Sequence, residues 1–154
     1  KKSGFRMVGI KTPLTENMDE NMRRIPLFWQ RAWMKNQIAE IAERSNGKPD
    51  GLLGVSVYDG PGNFNYYIAA ASDVPAPEGM EEYWIPEGMW VVFEKEGMFR
   101  EEVQDVFERF LTEFLPFSGY AYAGLPDVEV YPTEAEGAKG HSEVWIAIKE
   151  EKGE

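Results

Sequence analysis

The sequence predicts a single α+β domain over residues 1–154, in which two strand–helix–strand–strand modules related by a pseudo-twofold axis form an antiparallel sheet with a central ligand cleft. Three observations carry this expectation. The order strand, helix, strand, strand occurs twice, over about 4–72 and again over about 83–150. Hydrophobic spacing switches between the period of a strand and the period of a helix at matching points in both halves. A set of strand aromatics, gapped by small residues and joined by one glutamate, suits a cavity wall better than a solvated surface or a closed core. An ordinary α+β domain whose element order coincides is the alternative reading.

The first strand is read in GFRMVGI, residues 4–10. A helix follows over 17–42, where Met22, Ile25, Trp29, Ala32 and Trp33 recur at steps of three and four, and Ile38, Ile41 and Ala42 resume the stripe. Pro26 falls either in the first turn of the main helix or at a kink in a longer one. Asn46-Gly47 and Pro49 stop the helix. LLGVSVY (52–58) and NYYIAAAS (65–72) form a hairpin across the turn DGPGN. A proline-rich connection over 73–82 opens the second half. GMWVVFEKEG (88–97) is a strand, and FREEVQDVFERFLTEFL (99–115) an amphipathic helix ended by Pro116 and Gly119. PDVEVYP (126–132) is a short strand, and a polar loop over 133–142 leads to the last strand, EVWIAIKE.

Side chains alternate across a strand. Val144, Ile146 and Ile148 share one face of the last strand and are expected to cover a helix. Along the other strands, Tyr58, Tyr67, Trp90, Tyr131 and Trp145 fall opposite the aliphatic residues, together with Gly54, Ala69 and Ala71 and with Glu129. These are grouped as one face, the expected ligand-binding set, with Trp33 as a further candidate for the cleft floor. The alternative is that this face packs on the other half and Glu129 reaches water at an edge. A buried carboxylate requires a partner or a proton. A flat cationic ligand would supply the partner and stack on the rings, and each desolvated cation–π contact is worth on the order of 2 kcal/mol.

Bulk composition narrows the classes. A formal net charge of −11 repels phosphate backbones, so direct nucleic-acid binding is not expected. The chain has no cysteine, which excludes thiol catalysis and thiolate metal sites and fits a reducing, cytoplasmic setting. No apolar run reaches the length of a membrane span. His141 is the only histidine and is read as a solvent-exposed loop residue; neither a metal site nor a cofactor is expected. The acid pairs at 81–82 and 101–102 read as solvated faces, and GPGN at 60–63 as a hairpin turn rather than a phosphate loop. Trp29 reads as core.

Six segments then line up in order: FRMVGI, IPLFWQRAW with Trp29, YYIAAASD, IPEGMWVVFEKEG, FLPFSGY and PDVEVYP. In these the chain resembles the GyrI-like small-molecule-binding domains, the family shared by gyrase inhibitory protein and the effector domains of AraC-type and BmrR-type regulators. The resemblance implies a duplicated fold with a ligand cleft between the halves, in which the acid of the PDVEVYP segment, Glu129, engages hydrophobic, cationic compounds. A DNA-binding domain or protein partner elsewhere is compatible with it. The chain departs from the family at Ala71, near a position where many members have glycine, and at Trp90, where tyrosine is usual. The resemblance extends to stand-alone members that look like hydrolases of electrophilic, cyclopropane-bearing compounds, in which Glu129 would be a general base acting on water. A protein-inhibitor role, such as gyrase modulation, is the third class.

Overall fold

The computed structural model describes residues 4–46, 51–58, 64–96, 109–122, 126–131 and 141–150. The front of the 99–115 helix, the 59–63 turn and most of the 133–142 loop lie outside them. β1 (Phe5–Pro13) leads to α1 (Met18–Met34) and α2 (Gln37–Ala42). The strands β2 (Leu52–Tyr58), β3 (Phe64–Ala71), β4 (Glu81–Ile85) and β5 (Met89–Glu96) follow. The second helical region is described from a π-helical turn, Phe110–Phe114, into α3 (Leu115–Ser118). Then come β6 (Tyr120–Tyr122), β7 (Asp127–Tyr131) and β8 (His141–Glu150). Among the described residues, no helix is long and apolar enough to cross a membrane.

All strands pair antiparallel in one sheet of order β4-β1-β3-β2-β7-β8-β5, with β6 added to β8. The order is palindromic about the β2–β7 pair: β1-β3-β2 on one side mirrors β5-β8-β7 on the other. This is the duplication that the repeated element order predicts.

Local chemistry explains the first helical layer. The Asn17 side chain accepts a hydrogen bond from the Glu20 backbone N–H at 3.0 Å, so it caps α1. Buried Asn21 locks the entry loop, accepting from Thr15 N at 2.9 Å and donating to Thr15 O at 2.7 Å. Pro26 lies inside α1, which is the longer-helix alternative. Asn36, left-handed at φ 64°, breaks the expected single helix into α1 and α2. In the second half the helix continues through Pro116 to Ser118, and Gly119 at φ 80° ends it.

Three elements depart from the expected pattern. EEYWI is an edge strand rather than the end of a connection; its Glu82 and Glu81 pair across to Arg6 and Lys11 of β1 at 4.0 and 3.7 Å. Tyr120–Tyr122 adds a short strand, and His141 opens β8 rather than closing a loop.

The sheet is strongly curled. β4 and β5 stand at its two ends, yet only residues 86–88 separate them in the chain. Phe5 of β1 and Trp145 of β8 meet edge-to-face with centroids 6.3 Å apart. In a flat sheet these strands would lie roughly 20 Å apart at the ordinary strand spacing. The concave side is therefore a core of its own, built from Leu53, Val55, Tyr67, Trp90, Val128 and Trp145 among others. The opposite side carries the helices. Ile25, Ala32, Ile38 and Ile41 of α1 and α2 pack on Tyr66, Ile68 and Ala70, and Phe110 packs on Val144, Ile146 and Ile148. Each such aliphatic burial stabilises the fold by about 1.5–3 kcal/mol.

Candidate functional site

The register places the acid. One row of directly paired residues crosses the helix side of the sheet: Ile10, Ile68, Gly54, Glu129, Val144 and Phe93. Ile10 and Ile68 belong to the cluster under α1 and α2, and Val144 and Phe93 to the cluster under Phe110. Gly54 and Glu129 occupy the middle, on the β2–β7 seam between the two helical layers. Alternation puts Ser56 and Tyr58 of β2, and Asp127 and Tyr131 of β7, on this same side.

Glu129 is only 4% exposed. Two phenols converge on its Oε1: Tyr131 donates at 2.6 Å and Tyr66 at 3.0 Å. Trp29 of α1 donates its indole N–H to the Tyr66 hydroxyl at 3.0 Å and meets the Tyr131 ring edge-to-face at 5.6 Å. A chain of donors thus runs from the helix to the acid. Charge-assisted bonds of this kind are short and roughly twice as strong as neutral ones. They let a buried carboxylate hold its place without a salt bridge having to form.

Asp127 is a second buried acid, two residues along the same face of β7. Tyr58 borders both. Although the residue is 41% exposed, its phenol is pushed above its ordinary 10.0 first by partial burial, then by the negative charges of Asp127 and Glu129, while a hydrogen bond with Ser56 works the other way. Its ring also meets Phe64 edge-to-face at 5.3 Å. Among the described residues, no group of three or more His, Cys, Asp or Glu side chains is arranged to hold a metal ion.

The residues singled out from the sequence do not share one face. Glu129, Tyr131 and Tyr58 lie on the helix side. Tyr67, Trp90 and Trp145, with Ala69, line the concave interior. Alternation holds within each strand, but residue type does not fix which face of one strand continues into the next. The valines of β2 and β7 point into the concave core, whereas the isoleucines of β3 and β8 point to the helices. Trp33 does not floor the site; it is 72% exposed on the last turn of α1. Trp29, read as core, and Tyr66, not singled out at all, supply the contacts instead. Tyr66 alternates with Ile68 on the helix-covered side, and its reach to β7 shows only once the strand order is known.

The helix side also carries exposed apolar residues. Met22, Pro26 and Trp33 rise from α1 at positions −7, −3 and +4 from Trp29, the spacing of one helix face. Met22 is 45% exposed. The face of α1 that reaches the acid through Trp29 is therefore apolar up to solvent.

A family model described as Cass2, integron-associated effector binding protein, matches residues 1–148. No curated protein matches the sequence. The fold is similar to that of SAV2435 bound to tetraphenylphosphonium, with a TM-score of 0.82 and 24% identity over 96% of this chain and 90% of that one. A protein of Staphylococcus aureus MU50, described as a candidate bacterial transcription regulation protein, gives 0.80 and 24% over 96% and 94%. An integron cassette protein from the mobile metagenome of Vibrio cholerae gives 0.66 and 18% over 96% and 92%. At these identities the likeness establishes a common fold.

Proposed function

Since the chain belongs to the Cass2 family of integron-associated effector binding proteins, we propose that it captures hydrophobic, cationic aromatic molecules at Glu129, as a sensor, a sequestering protein or the effector-binding part of a regulator. The observation that carries the reading is the buried carboxylate on the β2–β7 seam, held on one oxygen by Tyr66 and Tyr131 and bordered by the Trp29 ring. A delocalised cation satisfies both halves of such a site, pairing with the acid and lying against ring faces. Several such contacts with one charge pair suffice for micromolar binding, about −8 kcal/mol. The net charge of −11 raises the local concentration of cations. That the similar SAV2435 structure holds tetraphenylphosphonium supports the same ligand class here. A chain without cysteine suits this role in the cytoplasm.

The test is a thermal-shift and dialysis comparison of tetraphenylphosphonium with the neutral triphenylphosphine oxide. The wild type is expected to be stabilised by the cation, and Glu129→Gln to lose most of that shift while its melting in the absence of ligand stays cooperative. Equal responses from the two proteins would remove the site assignment. Turnover of an electrophilic compound, abolished by Glu129→Gln, would replace binding with the hydrolase reading.

A further inference from the structure

Tyr66 stands on β3 and Glu129 on β7, with β2 between them. Two strand spacings amount to roughly 10 Å, and the hydroxyl must cross the β2 backbone to reach the acid. It crosses at Gly54, which pairs directly with Glu129. A Cβ at Gly54 would run into the Tyr66 hydroxyl and would lie 2.7 Å from Glu129 Oε1 and 3.1 Å from Tyr66 Cζ. Gly54 is not among the glycines with positive φ, so its backbone conformation does not require glycine; only the space above it does. Gly9 differs in kind. A Cβ there would strike the Ile68 carbonyl and lie 2.6 Å from the Ala69 Cα, which is main chain that cannot step aside.

We infer that Gly54 is the positioning residue of this site: its missing side chain is the notch through which Tyr66 fixes the Glu129 carboxylate, and that fixed carboxylate sets the preference for cations over neutral molecules of the same shape. The inference rests on the binding reading above. A carboxylate held in place before the ligand arrives loses little freedom on binding, so removing one of its two phenol donors weakens the charge pair selectively. Ring contacts, which neutral ligands share, are left alone. Trp29 supplies a reporter, because its indole N–H is bonded to the same hydroxyl.

The experiment measures dissociation constants of tetraphenylphosphonium and triphenylphosphine oxide for the wild type, Gly54→Ala, Tyr66→Phe and the double variant. The Trp29 indole N–H resonance, assigned with Trp29→Phe, is recorded without ligand. Gly54→Ala and Tyr66→Phe are each expected to cut the cation-to-neutral affinity ratio about ten-fold, and the double variant no further, because both act on one bond. The Trp29 resonance moves in both single variants. Gly9→Ala, as the control, lowers the melting temperature and keeps the ratio. A wild-type ratio and an unmoved resonance in Gly54→Ala would overturn the inference. So would losses that add in the double variant, or a Gly54→Ala protein that no longer unfolds cooperatively. If the wild type itself shows no preference for the cation, the binding reading falls and takes this role with it; if the wild type discriminates and Gly54→Ala does so equally, only the positioning role falls.

Discussion

The two sides of the curled sheet are both rich in aromatic side chains and arrange them differently. On the concave side Trp90, Trp145, Tyr67, Tyr83 and Phe5 pack with Val55 and Val128. Trp145 Nε1 donates to Glu143 at 2.8 Å, and Trp90 Nε1 is buried without an acceptor. On the helix side, over β2 and β7, the aromatics are phenols aimed at an acid, and the indole above them donates to one of those phenols. Aromatic content alone therefore does not mark a ligand site. What the helix side shows is two phenols converging on one carboxylate that is buried almost completely. The curl explains the division. It turns the concave face in on itself, whereas the β2–β7 seam lies between two separate helical layers, where the proposed guest would bind.

The largest effect that sharpens this contrast lies on the concave face. Trp145→Ala is expected to lower unfolding stability by about 3–5 kcal/mol, as large-to-small changes of aromatic core residues do. Urea denaturation measures it. Folded material that remains should still prefer tetraphenylphosphonium to its neutral counterpart. A stability loss below about 1 kcal/mol, with loss of ligand preference, would exchange the roles of the two faces.

How far the sequence revealed this arrangement depends on which link is asked. The strands LLGVSVY and PDVEVYP, and the alternation within each, were legible, because period-two patterning is a local property. The duplication was legible from element order. A lone acid between two valines breaks the pattern of a buried strand, and that marks Glu129. What sequence could not carry was the phase between neighbouring strands. A slip of one residue exchanges the faces of a whole strand. Tyr67 and Tyr66 are adjacent in the chain yet lie on opposite sides, and it is Tyr66 that shares the side of Glu129. Alternation gives Gly54 the same face as Glu129, but the role proposed for it depends on Tyr66 passing over it, a contact that reaches across β2. β4 is not legible because only Tyr83 and Ile85 of EEYWI turn to the core, and two exposed acids open the segment.

A smaller effect tests the electrostatics of the helix side. The Tyr58 phenol is held above 10.0 by burial, then by Asp127 and Glu129, so the folded protein keeps that proton more tightly than the unfolded chain does. Its contribution to stability is complete below pH 10 and is lost as the pH rises through the folded value. Denaturation midpoints of wild type and Tyr58→Phe are expected to run parallel from neutral pH to about pH 10 and then to diverge, the wild type falling faster. Curves that stay parallel above pH 10 would mean that folding does not raise the proton affinity of this phenol, by burial or by the two acids.

The most direct measurement is a crystal structure of the protein with tetraphenylphosphonium. The phosphorus is expected over the β2–β7 seam within about 6 Å of the Glu129 carboxylate, with a phenyl group against Trp29 or Tyr131. A ligand lodged instead inside the curled sheet, against Trp90 and Trp145, would contradict the division of labour between the two faces and the role given to Glu129.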